Sequence, residues 1–167
     1  PISAVVGRAD LMREMEHIFY STTFGGETLS IAAAIAVIDK MRREPVIETL
    51  WRKGEFLANE VRKRLKRYEV ENLISLHGKA PWMLLKFHDH VKARKEAVKT
   101  LFAREMLSQG VLIQGSHNIC FSHDDADFER VLAVYDMALA KISEELSTSK
   151  LEERLGVPVI EPIFSVR

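Results

Sequence analysis

The residues best suited to chemistry form a run of hydroxyls and glycines, Ser21-Thr22-Thr23-Phe24-Gly25-Gly26, directly before a predicted helix. Backbone N–H groups converge at a helix N-terminus, and the helix dipole favours negative charge there. Glycines let the backbone approach a ligand closely, and hydroxyls donate further hydrogen bonds. The segment therefore predicts an anion site whose natural ligand is a phosphate ester. A flexible turn with a helix cap is the other interpretation of these residues.

A second group of candidate residues is rich in histidine and aspartate. Imidazole and carboxylate groups bind zinc, but the chain has no HExxH or comparable metal-binding spacing. We therefore assign the group to polar rims of a sheet and its loops, and we expect no metal. Its members are His77, His88, His90, His117, His123, Asp89, Asp124 and Asp125.

Basic residues follow one face of a predicted helix between Arg52 and Arg67. A nucleic-acid site would need a continuous basic face with stacking or base-reading partners. Glutamates interrupt this face, and the 24 basic and 24 acidic residues of the chain cancel. We interpret the face as solvated and expect no nucleic-acid partner. A non-catalytic interaction domain with this helix as its partner surface is the alternative function.

Cys120 is the only cysteine, which excludes an intramolecular disulfide and any Cys-rich zinc module. It lies between Ile119 and Phe121 in a predicted strand, so we expect a core residue rather than a nucleophile. A single cysteine favours a reducing, cytoplasmic compartment. No apolar run approaches the roughly 20 residues that a membrane span needs, so no membrane partner is expected.

The elements that must position these residues follow from hydrophobic periodicity and from turn and cap residues. Five helices and four strands are predicted, and they imply a compact α+β unit with a mostly antiparallel sheet from Glu71 to Leu146. The helix that follows the glycines is apolar nearly all round, which predicts that it is buried. The predicted helices are 7–19, 28–44, 46–68, 93–108 and one from Asp124 through Ile142, and the predicted strands are 73–77, 82–88, 111–113 and 118–121.

Three motifs together resemble the class III aminotransferases, which depend on pyridoxal phosphate (PLP). They are the opening Pro1-Ile2-Ser3-Ala4-Val5-Val6-Gly7-Arg8, then Leu11-Met12, and the hydroxyl-glycine run before an Ala-rich helix. The resemblance implies that this run contacts the phosphate of a cofactor held mainly by the neighbouring subunit of a homodimer. Thr23 then takes the place of the main phosphate-contacting threonine and Thr22 that of the adjacent hydroxyl, while Gly25 and Gly26 keep the backbone close.

The resemblance also implies the domain organisation, as part of a fold type I α/β enzyme. Residues 1–45 would end the large cofactor-binding domain, 46–70 would form a connecting helix, and 71–167 would form a small α+β domain with an extended tail. The lysine that binds the cofactor as a Schiff base would lie a few residues before Pro1. We therefore expect this chain to be a fragment with no catalytic residue of its own.

The predicted small domain resembles the branch of the family around glutamate-1-semialdehyde aminomutase. The segments that carry this resemblance are Gly110-Val111-Leu112-Ile113 and Ser122-His123-Asp124-Asp125-Ala126-Asp127. Many relatives grip the substrate carboxylate with an arginine here, but residues 115–121 contain none. The resemblance implies transfer of an amino group between a small amino compound and a carbonyl acceptor. His117, Asn118 and His123 are the candidate rim of an aminomutase-like or divergent substrate pocket.

Overall fold

The computed structural model describes residues 3–20, 23–113, 115–148 and 151–162. The chain divides into two compact units, Pro1–Ile47 and Glu48–Arg167. The helices are α1 (Ala9–Met12), continued by a 3-10 turn at Arg13–Glu16, α2 (Thr28–Arg43), α3 (Val46–Arg67), α4 (Lys95–Ser108) and α5 (Asp125–Thr148). The strands are β1 (Ile74–Lys79), β2 (Trp82–Phe87) and β3 (Ser116–Asn118). Among the described residues, none of these helices combines the length and the apolar character that crossing a membrane requires.

The first unit is dominated by α2, which has 16 residues. The predicted bounds of this helix are confirmed to within one residue, but the prediction that it is buried is wrong for this chain. No α2 side chain is buried, and Ile35 and Val37 are among its exposed residues. The other elements among the described residues before α2 are the four-residue α1 and a 3-10 turn, which are too small to cover α2 on all sides.

The second unit contains an antiparallel three-stranded sheet in the order β1-β2-β3. β1 and β2 form a hairpin that closes at the Lys79–Trp82 pair, so the turn signal at Gly78-Lys79-Ala80-Pro81 is confirmed. Gly78 has a φ of 108°, a left-handed conformation that glycine adopts without steric cost.

The predicted strand at 111–113 is wrong. The N–H of Val111 donates to the carbonyl of Met106 (2.9 Å), and the N–H of Gly110 donates to the carbonyl of Leu107 (2.9 Å). This pair of hydrogen bonds is the pattern of a Schellman cap on α4. The chain therefore wraps around the helix end before it reaches a strand. The third strand, β3, begins at Ser116, two residues before the predicted start.

The hydrophobic core of the second unit is formed by α3, the sheet, α4 and α5. Its centre holds two large aromatic side chains, Phe102 and Tyr135, whose rings lie 5.3 Å apart. Leu151 and Leu155, beyond α5, are also fully buried in this core. The predicted 3.6-residue period of α3 is confirmed, because Leu57, Val61 and Leu65 are buried at that spacing. The candidate pocket residues lie in β3 and in the loop that leads from β3 to α5.

Candidate functional site

The predicted anion site lies in the first unit, in an exposed turn before α2. Thr23, Phe24, Gly25 and Gly26 form this turn, and the N–H of Glu27 donates to the carbonyl of Phe24 (3.2 Å). A Cβ built on Gly26 would meet nothing within 4 Å, so the turn is open on that side. The structure therefore brings three of the four predicted contact residues together. The fourth, Thr22, lies outside the described residues.

Glu27 occupies the N-terminus of α2, which sequence reasoning assigned to a phosphate. Its carboxylate accepts the N–H groups of Leu29 (2.7 Å) and Ser30 (2.6 Å). Hydrogen bonding, first from Ser30 and then from the Leu29 N–H, holds the pKa of Glu27 below its ordinary value. In this conformation the negative charge that the helix dipole favours is supplied by the Glu27 carboxylate of the chain itself.

A cavity of about 520 Å³ lies in the second unit and brings the candidate pocket residues together. His117, Asn118 and His123 all line it, although they come from β3 and from the loop before α5. The rest of the lining is mostly aliphatic, with one aromatic ring and a few polar side chains. These residues are Leu57, Gly110, Val111, Leu112, Ile113, Ser116, Ile119, Asp127, Phe128, Arg130 and Val131.

His117 is the most buried polar residue of the cavity wall, at 6% exposure. Its Nε2 lies 2.6 Å from the hydroxyl of the fully buried Tyr135. Burial lowers the pKa of His117 to about 4 and raises that of Tyr135 above its ordinary value. Both side chains are therefore uncharged near neutral pH. Sequence reasoning missed Tyr135 as a partner, because it lies on the apolar face of α5 like any core residue.

His123 is held by its backbone neighbours and by α3. Its Nδ1 accepts the N–H of Cys120 (3.2 Å), and its ring packs edge-on against Phe128 at 6.0 Å. Lys53 of α3 donates to the carbonyls of His123 and Phe121. The prediction of a solvated basic face is therefore wrong for Lys53, whose ammonium fixes this loop.

Arg64, on the same basic stretch of α3, is also engaged within the unit. It pairs with Glu60 (2.9 Å) and with Asp136 of α5 (3.1 Å). These contacts join α3 to α5. They reduce the part of the basic face that is available to a partner.

The prediction that Cys120 lies in the core is wrong, because β3 ends at Asn118 and leaves Cys120 exposed in the following loop. Its Sγ lies 3.1 Å from the Ser122 hydroxyl, and this hydrogen bond lowers the pKa of the thiol.

The histidines singled out in the sequence do not converge. The Ser75 hydroxyl lies within hydrogen-bond distance of two of them, 2.9 Å from Nε2 of His77 and 2.6 Å from Nε2 of His88. His117 and His123 line the cavity instead. Within the described ranges, no group of three or more His, Cys, Asp or Glu side chains could hold a metal ion.

Comparison with known proteins identifies the family. The family described as aminotransferase class-III matches residues 1–148. The chain belongs to this family. Pyridoxal phosphate is the cofactor of this family. The resemblance to class III aminotransferases that the sequence motifs indicated is confirmed.

Curated relatives of this class III chain include both aminotransferases and aminomutases. It is 26% identical over 149 residues to 3-aminobutyryl-CoA aminotransferase of Cloacimonas acidaminovorans (strain Evry), covering 87% of the chain and 35% of that relative. It is 26% identical over 156 residues to glutamate-1-semialdehyde 2,1-aminomutase 2 of Bacillus thuringiensis (strain Al Hakam), covering 85% and 36%. The class III chain thus spans about a third of the length of these relatives.

A solved structure shows the fold. The FumI protein of Sphingopyxis sp. MTA144, in its PLP internal aldimine form, matches 90% of the class III chain and 36% of its own, with a TM-score of 0.71 and 21% identity. The predicted fold class, part of a fold type I PLP enzyme with a small antiparallel sheet, is confirmed.

Proposed function

We propose that this chain is part of a PLP-dependent aminotransferase or aminomutase that transfers an amino group between a small amino compound and a carbonyl acceptor. The family match over residues 1–148 carries the proposal, since it includes both the turn before α2 and the cavity-lining segments. A cytoplasmic location, which the single cysteine favours, belongs to the same proposal.

The domain assignment is part of this proposal. Residues 1–45 form the C-terminal part of the large cofactor-binding domain. Residues 46–70 form the helix that connects it to the small domain, which comprises residues 71–167. The division of the chain between Ile47 and Glu48 supports a boundary near residue 45. The exposed apolar side chains of α2 also support it, because such a helix needs further protein to cover it.

Thr22, Thr23, Gly25 and Gly26 are proposed to contact the phosphate of a cofactor bound to the other subunit of a homodimer. The open, exposed turn at residues 23–26 supports access by a phosphate. When bound, the cofactor supplies an electron sink for the amino-group transfer. The turn contributes positioning, because the Thr23 hydroxyl donates to phosphate oxygens and so orients the cofactor without taking part in proton transfer.

His117, Asn118 and His123 are proposed to form part of the substrate pocket. Their position on the wall of one cavity supports this role. The cavity contains Arg130, but this arginine donates to the carbonyl of Gln109 (2.8 Å). That bond to a neutral carbonyl leaves the guanidinium charged. Residues 115–121 themselves contain no arginine, which favours an aminomutase-like or divergent pocket.

Replacing Thr23 tests the cofactor assignment. In the full-length dimer, Thr23→Ala should weaken PLP affinity by about 10- to 100-fold, because a charge-assisted hydrogen bond contributes about 1.5–3 kcal/mol. Thr28→Ala removes a nearby exposed hydroxyl at the start of α2 and is the matched control. PLP titration measures affinity, and sedimentation should show a looser holo dimer for Thr23→Ala only. Unchanged affinity in Thr23→Ala would show that this loop is only a turn.

A further inference from the structure

A segment after α5 returns to lie against α4. The described part of this segment is residues 151–162, which follow the stretch that the family match covers, residues 1–148. Leu151 and Leu155 are buried in the core at 1% exposure, and Arg104 of α4 donates to the carbonyl of Leu155. The first part of the segment is therefore held by the same core as the helices.

The second part, residues 157–162, which we call the strap, is attached to α4 by polar contacts. The guanidinium of Arg94, the N-cap residue of α4, donates to the carboxylate of Glu161 at 3.2 and 3.3 Å. The backbone N–H of Ile160 donates to the hydroxyl of the buried Thr100 (2.9 Å). These two contacts fasten the end of the strap to the first turns of α4.

The attachment of the strap is weaker than that of the preceding residues. The side chains of Arg94 and Glu161 are 50% and 57% exposed, and an exposed ion pair contributes little to stability and is screened by salt. Val159 packs against the core only in part, and Ile160 is 53% exposed. Few buried contacts and a solvent-exposed ion pair allow a segment to open without unfolding of the unit.

Gly156 joins the strap to the buried part of the segment. Its φ of 69° is a left-handed conformation that glycine adopts without steric cost. A Cβ at this position would come no closer than 3.8 Å to Nη1 of Arg104 and 4.0 Å to the carbonyl oxygen of Arg154. The glycine is thus suited to a change of chain direction and is not held by tight packing.

The strap forms one wall of a second cavity, which has a volume of about 340 Å³ and lies within the second unit. Ile160, Glu161 and Pro162 line this cavity from the strap, whereas Leu85 and Phe87 line it from β2. Movement of the strap away from α4 would open the cavity on this side. The partly buried ring of Phe87 would then become accessible to solvent.

We propose that residues 157–162 form a hinged strap, which pivots at Gly156 and closes the second cavity when Glu161 binds Arg94. Opening breaks the ion pair and the Ile160–Thr100 hydrogen bond but leaves Leu155 in the core. Salt favours the open state because ions screen the exposed pair. This conformational device goes beyond the proposed amino-group transfer and does not depend on it.

Amide exchange of the 167-residue chain, followed by NMR, tests local opening. The Ile160 amide should be protected, but it should exchange about tenfold or more faster than the amide of the buried Leu101 in α4. Raising the salt concentration from about 0.05 to about 1 M should accelerate exchange at Ile160 about two- to fivefold relative to Leu101. An Ile160 amide that is unprotected, that exchanges no faster than Leu101, or that does not respond to salt would overturn the proposal.

Glu161→Gln tests the ion pair that fastens the strap. This variant should accelerate exchange at Ile160 about two- to fivefold, and a neutral soluble paramagnetic compound should broaden the Phe87 signals more strongly than in the unmodified chain. Glu153→Gln, at an exposed glutamate of the same segment, is the matched control and should change neither. If the two variants behave alike, Glu161 does not fasten the strap and the proposal is wrong. These measurements need no PLP, so their outcome is independent of the Thr23 test of the proposed function.

Discussion

Burial gives His117 an acid–base behaviour that an exposed histidine does not have. Its imidazole is 6% exposed and meets only the Tyr135 hydroxyl among its hydrogen-bonding neighbours in the described chain. Water cannot solvate a charged ring at this position, so the neutral form is favoured and the pKa falls to about 4. The His117 ring therefore stays uncharged in the folded second unit near neutral pH.

Acid should destabilise the second unit through His117. Because the folded pKa lies below that of an unfolded histidine, about 6.5, the unfolded chain binds the proton more readily between these values. The stabilisation is complete above about pH 6.5 and is lost as the pH falls towards 4, by about 3 kcal/mol in total. Urea unfolding of the chain at several pH values in this window measures the effect.

His117→Gln provides the control for this prediction, since glutamine does not titrate. The free energy of unfolding of this variant should depend much less on pH in the same window. Asp127, Arg130 and His123 also line the cavity and remain in both proteins. An equally steep pH dependence in the variant would show that His117 is not the group responsible.

At the level of elements, α3 and the β1–β2 hairpin pack too closely for a side chain between them. A Cβ on Gly54 would lie 2.1 Å from the carbonyl oxygen of Ala80 and 2.4 Å from its carbonyl carbon. These are backbone atoms and cannot rotate away as a flexible side chain could. The glycine in the middle of α3 is therefore required by packing, although glycine weakens a helix interior.

Gly54→Ala should destabilise the second unit by about 1–3 kcal/mol or more, because the added methyl group forces the hairpin away from α3. Gly26→Ala is the matched control: the new Cβ meets nothing within 4 Å. Thermal unfolding followed by circular dichroism should show a clear fall in the midpoint for Gly54→Ala only. A stable Gly54→Ala protein would contradict this packing.

The two units should also differ in the protection of their helices. α2 has no buried side chain, whereas α4 and α5 contribute Leu101, Phe102 and Tyr135 to the core. Few buried contacts allow local opening, so amides of α2 should exchange quickly in the isolated chain while those of α4 and α5 are protected. Hydrogen exchange with mass spectrometry distinguishes these outcomes. Equal protection of the three helices would count against the division into two domains.

At the scale of the whole molecule, the chain corresponds to about a third of its curated relatives. Under the proposed assignment, the two candidate regions of this chain supply contacts rather than a nucleophile. Their proposed contributions are to orient a cofactor and to receive a substrate. Neither contribution is sufficient for catalysis.

The 167-residue chain by itself should therefore have no transaminase activity. Incubation with pyridoxal phosphate followed by borohydride reduction should label no single lysine stoichiometrically, since none of Lys40, Lys53 and Lys63 has the sequence context of the family's lysine. Peptide mass spectrometry after reduction measures the labelling. Complete labelling of one lysine would contradict the assignment of the nucleophile to an upstream position.

Much of the helical structure of this protein could be predicted from its sequence by short-range rules. Apolar spacing gave the bounds of α2 and α3 closely, and Gly110 marked the end of α4, because helix periodicity and capping depend on neighbours within a few residues. The motif before α2 pointed to the family, which the comparison then established. The same local rules failed at residues 111–113, where the cap of α4 takes the N–H of Val111 and no strand forms. They also did not indicate that the Glu27 side chain caps α2.

The tertiary structure alone decided which residues act together. His117 meets Tyr135 18 positions away, and Lys53 reaches the carbonyl of His123 70 positions away. Such pairs depend on how α3, β3 and α5 pack around one core, and no short-range pattern encodes that packing. The sequence grouped His117, Asn118 and His123 as one candidate pocket rim only through the resemblance to the family, because no local pattern joins them. Their place on one cavity wall, and the burial that keeps His117 neutral, arise only when the chain folds.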